Sequence, residues 1–233
     1  MDHPFHEHCG QCEACTIRDG WLFARLGEDE TALLAGLARQ VDFQRRQILY
    51  SEGDPASQVL IVTRGVVKLT SVSPEGKVQV LGLIYPGQLA GIEGFFHDDY
   101  EMGATALTEG SACALPRDRL MRILHERPDF ALQLLEAMHM ELDQARARIQ
   151  EMGKTSAESK ICAILCDLLP HLSEQTPLEG EFPLAHSDLA EILGLSRETI
   201  SRAVGGLAKR GVVSLSRHQV LVHDIERLRE LAQ

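Results

Sequence analysis

Residues 187–209 read SDLAEILGLSRETISRAVGGLAK, and this stretch predicts two helices joined by a tight turn. Ser187 is placed to cap the first helix, which carries Leu189, Ala190, Ile192 and Leu193. Gly194 and Leu195 form the turn. Ser196 caps the second helix, with Glu198 in its first turn, where a carboxylate suits the positive end of the dipole. Ile200, Val204 and Leu207 recur at helical spacing and must face a core. Arg197, Glu198, Ser201 and Arg202 stand at i, i+1, i+4 and i+5, so they gather on the opposite face near the N-terminal end. That end of a recognition helix enters the DNA major groove. Arginine forks guanine O6 and N7, glutamate accepts from cytosine N4, and serine serves either role. The plainer reading, a solvated helix face, leaves the surrounding helix-turn-helix pattern unexplained.

A chain of 233 residues with 44% hydrophobic content holds one large or two modest domains. No apolar run approaches transmembrane length, and MDHPFHEH lacks the basic and apolar regions of a signal peptide, so a cytoplasmic location is expected. The net charge of −11 runs against DNA binding, but it is unevenly placed. Between residues 197 and 217, Arg197, Arg202, Lys209, Arg210 and Arg217 face a single acid, Glu198. Local charge governs phosphate contact, and the acidic remainder discourages indiscriminate binding. Six cysteines in a cytosolic chain point to metal or redox chemistry before structural disulfides.

Four segments separate by pattern. Residues 1–22 are rich in His, Cys and Gly without an apolar period, and a short helix is expected around Glu28 to Gln40 within a second segment, 23–116. From Phe43 to Leu115 short apolar runs alternate with turns at Glu52-Gly53-Asp54, Pro74-Glu75-Gly76 and Pro86-Gly87, the pattern of an all-β roll or barrel. The third segment, 117–153, is helical with a break near Arg127-Pro128. Along it Leu135, Met138, Leu142, Ala145, Ile149 and Met152 are spaced 3, 4, 3, 4, 3. That heptad seam on a single long helix implies a second chain, hence a homodimer. The fourth segment, 154–233, holds a helix, the helix-turn-helix, and VVSLSRHQVLVHD, two short strands turning at Ser216 to Gln219 as a wing. Cys162 and Cys166, one helical turn apart with Leu165 and Leu169, are expected to pack in a core.

This α+β order of β-roll sensor domain, long dimerisation helix and C-terminal winged helix-turn-helix resembles the CRP/FNR family of bacterial transcription regulators along nearly the whole chain. The sharpest motif is SRETISR at 196–202, supported by GQLAGIEGFF at 87–96. The resemblance implies a homodimeric regulator that binds a palindromic operator in double-stranded DNA and works with RNA polymerase, with activation among its expected effects. It assigns base reading to Arg197, Glu198, Ser201 and Arg202, and phosphate contacts to Ser187, Lys209, Arg210 and Arg217. Glu198, Ser201 and Arg202 match the FNR triplet and a TTGAT-like half-site, whereas Arg197 matches the CRP pattern and a TGTGA-like element. Both operators stay open.

Cyclic-AMP binders of the family carry a Gly-Glu-Leu turn and an Arg-Ser-Ala run. Here the matching places read Gly91-Ile92-Glu93 and Met102-Gly103-Ala104, so a cyclic phosphate would lack its cation. The FNR branch instead carries an N-terminal cysteine cluster and one cysteine late in the roll. Cys9, Cys12, Cys15 and Cys113 match that set, which implies a [4Fe–4S] cluster and an oxygen or redox response. The spacing departs from the best-known FNR pattern, in which five residues rather than two lie between the second and third cysteines. Zinc on Cys9, Cys12 and Cys15 with His8 or His6, or a reversible Cys12–Cys15 disulfide, uses the same residues differently. Cys113 between Ala112 and Ala114 also suits a small buried hydrophobe. A haem sensor of nitric oxide or carbon monoxide would need an axial ligand, for which His97 and His125 are weak candidates. No βαβ pattern surrounds Cys12-x-x-Cys15, as a disulfide oxidoreductase would need, and no hydrolase motif stands out, so an enzyme is not expected.

Overall fold

Glycine-punctuated apolar runs become two four-stranded sheets in the N-terminal part of the chain. The computed structural model describes residues 28–76, 78–152, 156–172, 181–182, 184–215 and 220–232. The expected segment 1–22, with His6, His8, Cys9, Cys12 and Cys15, lies outside the described residues, as does the wing turn with Arg217. By internal contacts the chain divides into two units, Met1–Ser71 with Leu83–Leu142, and Val72–Gly82 with Asp143–Gln233.

Helix α1 (Glu28–Leu37) leads into β1 (Arg39–Phe43), β2 (Ile48–Tyr50), β3 (Gln58–Arg64), β4 (Val67–Val72), β5 (Val78–Ile84), β6 (Leu89–Ala90), β7 (Gly103–Ala106) and β8 (Gly110–Pro116). The first sheet runs β1-β8-β3-β6 and the second β2-β7-β4-β5. Phe43, Leu60, Val62, Val67, Ile84 and Tyr100 meet four small alanines (104, 106, 112 and 114) in the interior between them. The expected turns are present, with Gly53, Gly76 and Gly87 at positive φ. The first helix is shorter than the pattern around Glu28 to Gln40 suggested. It closes with the Ala38 amide on the Leu34 carbonyl, after which Gln40 pairs opposite Cys113 in β1. Strand pairing satisfies these backbone groups in place of another helical turn.

The outer face of the first sheet is covered by helices. Val59, Ile61, Leu89, Cys113 and Leu115 pack there against Leu34 of α1, Leu120 and Ile123 of α2 (Arg117–Glu126), and Phe130 and Leu134 of α3 (Pro128–Met152). The break between α2 and α3 falls at Arg127, at φ −129° and ψ 81°. Pro128 disfavours helical backbone in the residue before it and opens α3 as its first residue. On α3 Leu135 and Leu142 are 62% and 48% exposed, so this chain alone leaves part of the heptad seam uncovered.

The second unit holds α4 (Ala157–Leu172), β9 (Glu181–Phe182), α5 (His186–Leu193), α6 (Arg197–Lys209), β10 (Val213–Leu215), β11 (Val220–Val222) and α7 (Ile225–Leu231). Its sheet runs β10-β11-β9, with β10 and β11 antiparallel. Ile161, Cys162, Leu165, Leu189, Ile200 and Leu228 are among its fully buried side chains. Cys162 therefore packs as expected, and burial pushes its thiol up to about 12. Among the described residues no helix is long and apolar enough to cross a membrane.

Candidate nucleic-acid interface and sensor site

The apolar spacing of 187–209 builds the two helices as expected, but the first cap differs. Helix α5 begins at His186, and Ala185 is its N-cap. Alanine has no side-chain acceptor for the first helical amides, and the Asp188 carboxylate accepts from the Ala185 amide at 2.8 Å. That is the acidic half of a capping box, and it places Ser187 inside the first turn rather than at the cap. Gly194 ends α5 at φ 62° and ψ 31°, a left-handed cap suited to glycine. Ser196 then caps α6, its Oγ accepting from the Thr199 amide at 3.2 Å.

Helix α6 is divided along its length. Ile200, Ala203, Val204 and Leu207 are buried, while Arg197, Glu198, Ser201 and Arg202 are all exposed near its N-terminal end. The Glu198 carboxyl is held below the usual range by its own backbone amide, then by Ser196, Arg197 and Arg202. It is therefore an ionised acceptor, as base reading of a cytosine amine requires. Lys209 is exposed in the last turn of α6. Arg210, at the C-cap, donates to the Glu158 carboxylate of α4. Its guanidinium has an intramolecular partner that the sequence pattern did not reveal.

In the sensor sheets, Cys113 is 7% exposed on the helix-covered face. It stands between Gln40 of β1 and Ile61 of β3. Strand alternation sends Ala112 and Ala114 the other way, into the roll. The roll interior is occupied by aromatic side chains. Tyr50 and Tyr100 stack with centroids 3.9 Å apart, and the Tyr100 hydroxyl donates to the Gln58 carbonyl at 2.6 Å. Gly91, at φ 82°, lets the Tyr100 ring approach; a Cβ there would lie 2.9 Å from it. Glu93, on the short 3-10 turn Ile92–Phe95, is 8% exposed, and its Oε1 has no partner among the described residues. Burial pushes its carboxyl above the ordinary glutamate range and Glu101 adds to the push, while its own amide and His97 oppose it. Among the described residues every buried charged side chain is an acid, Glu93 or Asp188.

Residues 40–127 match the cyclic nucleotide-binding domain family, and residues 159–231 match the Crp-like helix-turn-helix domain family. Over 229 residues the chain is 31% identical to transcriptional activator protein FnrL of Cereibacter sphaeroides, spanning 95% of this chain and 92% of that one. The chain belongs to the CRP/FNR family of transcription regulators. It is also 28% identical to the anaerobic regulatory protein of Pasteurella multocida, over 95% of this chain and 82% of that one. The fold is shared with FixK2 of Bradyrhizobium japonicum, at a TM-score of 0.71 and 23% identity, over 84% of this chain and 98% of the other.

As a CRP/FNR protein the chain is a DNA-binding regulator and not an enzyme. Within this CRP/FNR roll, Met102, matched by resemblance to the arginine of the cyclic-AMP binders, is half-buried, and Glu93 is buried. Of the two candidate haem ligands, His97 pairs with Glu101 at 3.2 Å and His125 is exposed on α2.

Glu93 carries a stability prediction. A carboxyl whose folded pKa lies above its unfolded value is tolerated while neutral. Its contribution is fully present below about pH 4.3 and is lost as pH rises through the folded value. Glu93→Gln is therefore expected to raise urea stability at pH 7 and to leave it nearly unchanged near pH 4. An equal effect at both values would mean that ionisation of Glu93 carries no cost.

Proposed function

We propose that this CRP/FNR chain is a homodimeric, sequence-specific transcription factor whose DNA affinity follows oxygen or redox state through a [4Fe–4S] cluster on Cys9, Cys12, Cys15 and Cys113. The observation that carries the reading is the placement of Cys113. Its side chain lies on the face covered by α1, the helix into which the N-terminal segment leads, rather than inside the roll. Cys15 stands thirteen positions before Glu28, the start of α1. Thirteen residues reach at most about 45 Å, so chain length permits the three N-terminal thiols to meet Cys113. Four thiolates are a complete donor set for a cubane, and these residues fit the group. When bound, the cluster would supply iron–sulfur chemistry that reacts with oxygen. The match to a protein named for anaerobic regulation agrees with that chemistry.

Cys113 shares its cluster of buried residues with Phe130 and Leu134 of α3. A change at the sulfur therefore bears on the helix that carries the heptad seam from Leu135 to Met152. Pairing of two such helices sets the separation of the two α6 helices, which must lie about 34 Å apart to read a palindrome. Arg197, Glu198, Ser201 and Arg202 read bases, while Ser187, Lys209, Arg210 and Arg217 hold phosphates, with RNA polymerase as the partner at the promoter. The working division is 1–22, 23–116, 117–153 and 154–233.

One rival is favoured by a specific observation. The leucines around Cys113 suit a neutral thiol, which would leave zinc on His8, Cys9, Cys12 and Cys15. An anaerobic absorbance spectrum with iron, zinc and acid-labile sulfide analysis separates these outcomes. A colourless protein with zinc and no sulfide would remove the cluster from the reading.

Base reading and phosphate holding are separable by binding to TTGAT-like, TGTGA-like and random duplexes. Arg202→Ala should cost about 1–3 kcal/mol on the preferred site and relax one base position per half-site. Arg217→Ala should weaken all duplexes alike and make the salt slope shallower by roughly one per subunit. Equal losses on specific and random DNA for Arg202→Ala would place that arginine on the backbone instead.

A further inference from the structure

We infer that Glu158 is a positioning residue for DNA binding, an internal counter-ion that competes with DNA phosphate for Arg210 and so restrains affinity for non-operator DNA. The inference rests on the phosphate-holding surface proposed above. Glu158 lies in the first turn of α4, and its Oε2 accepts from Arg210 at the C-cap of α6, fifty-two residues later. The two side chains are 35% and 41% exposed, at the rim of a junction whose interior is the fully buried Cys162. An ion pair so exposed is weak, so a DNA phosphate is a fair competitor for the guanidinium.

The recognition helix is shaped to admit this carboxylate. A Cβ at Gly206 would overlap Glu158 Oε1, the far end of a flexible side chain, whereas no atom stands within 4 Å of a Cβ at neighbouring Gly205. Glycine in a helix interior is unfavourable relative to alanine. Its presence at 206 is explained by the space that the Glu158 carboxylate takes up. Seated there, the acid neutralises one of the five cations between residues 197 and 217 and so trims the electrostatic, sequence-independent part of binding.

Two variants release Arg210 by different routes. Glu158→Gln removes the acid, and Gly206→Ala displaces it without changing net charge. In the full-length dimer, binding to a random-sequence duplex is measured against salt concentration. Both variants are expected to bind more tightly and to steepen the slope by roughly two per dimer, since each added phosphate contact contributes about 0.9. The operator-to-random ratio should fall, and Arg210→Ala in either background should abolish the gain. A merely structural contact predicts otherwise. Glu158→Gln would lower thermal stability, Gly206→Ala would raise or lower it, and neither would move the slope. Unchanged slopes in both variants, with Arg217→Ala still shallower than the parent, would overturn the role of Glu158 alone. An unchanged slope in Arg217→Ala as well would overturn the phosphate surface and this inference with it.

Discussion

Leu142→Glu is expected to convert the protein from dimer to monomer at concentrations where the parent is fully paired. Leu142 is 48% exposed on α3 and falls on the same helical stripe as Leu135, which is 62% exposed. Two exposed leucines one heptad apart, with Met138 between them, match the a/d seam that the proposed two-stranded helix pair would use. In a two-fold interface each residue occurs twice near the axis, so the substitution opposes two carboxylates in an apolar contact. Removing unpaired charges from water costs several kcal/mol per ion, comparable to a large share of what a helix pair supplies. Sedimentation velocity reports the change directly, and operator affinity should fall with it because half-sites are read in pairs. A Leu142→Glu protein that sediments as a dimer at parental affinity would place the interface elsewhere. Leu142→Ala, which shortens the side chain without charging it, should weaken pairing in the same direction by less.

Cys113→Ser is expected to abolish the cluster or to make it far more labile to air. Serine replaces a soft thiolate with a poor iron ligand of nearly the same size. The volume that Cys113 fills in its buried cluster is therefore kept, and loss of fold is not the expected cause. Cys162→Ser is the control. Cys162 is fully buried in the core of the second unit, whereas Cys113 belongs to the first. Iron and sulfide content should then be parental in Cys162→Ser and depleted in Cys113→Ser. Parental iron, sulfide and air sensitivity in Cys113→Ser would reject the four-cysteine set and leave DNA binding untouched.

What could be read directly in the sequence was local. Ile200, Val204 and Leu207 announce their helix by spacing, and all three are buried. The Pro128 break and the glycine turns at 53, 76 and 87 follow from backbone sterics alone. The cap of α5 is not at Ser187 because the N-cap, Ala185, carries no side-chain oxygen and the capping comes from Asp188, three residues later. The features that required the fold join distant residues. Tyr50 and Tyr100 stack across fifty positions, and Glu158 meets Arg210 across fifty-two. No periodicity encodes such pairs. Cys113 lies between the two cases. Its strand was visible, but which face of β8 the helices cover depends on the order β1-β8-β3-β6.

That order also fixes how stiff the ground beneath Cys113 is. β8 is laced on one flank to β1 from Arg39 to Phe43 and on the other to β3 from Gln58 to Arg64. A strand bonded along both edges yields little, because moving it breaks two ladders at once. The helices across from it rest on side-chain packing through Leu34, Leu120, Phe130 and Leu134, with Arg117, the first residue of α2, bonded to the Ser57 and Gly94 carbonyls. Strain introduced at the sulfur thus meets an anvil on one side and a compliant layer on the other. The expected path of a displacement at Cys113 is therefore into the helix layer rather than through the sheet.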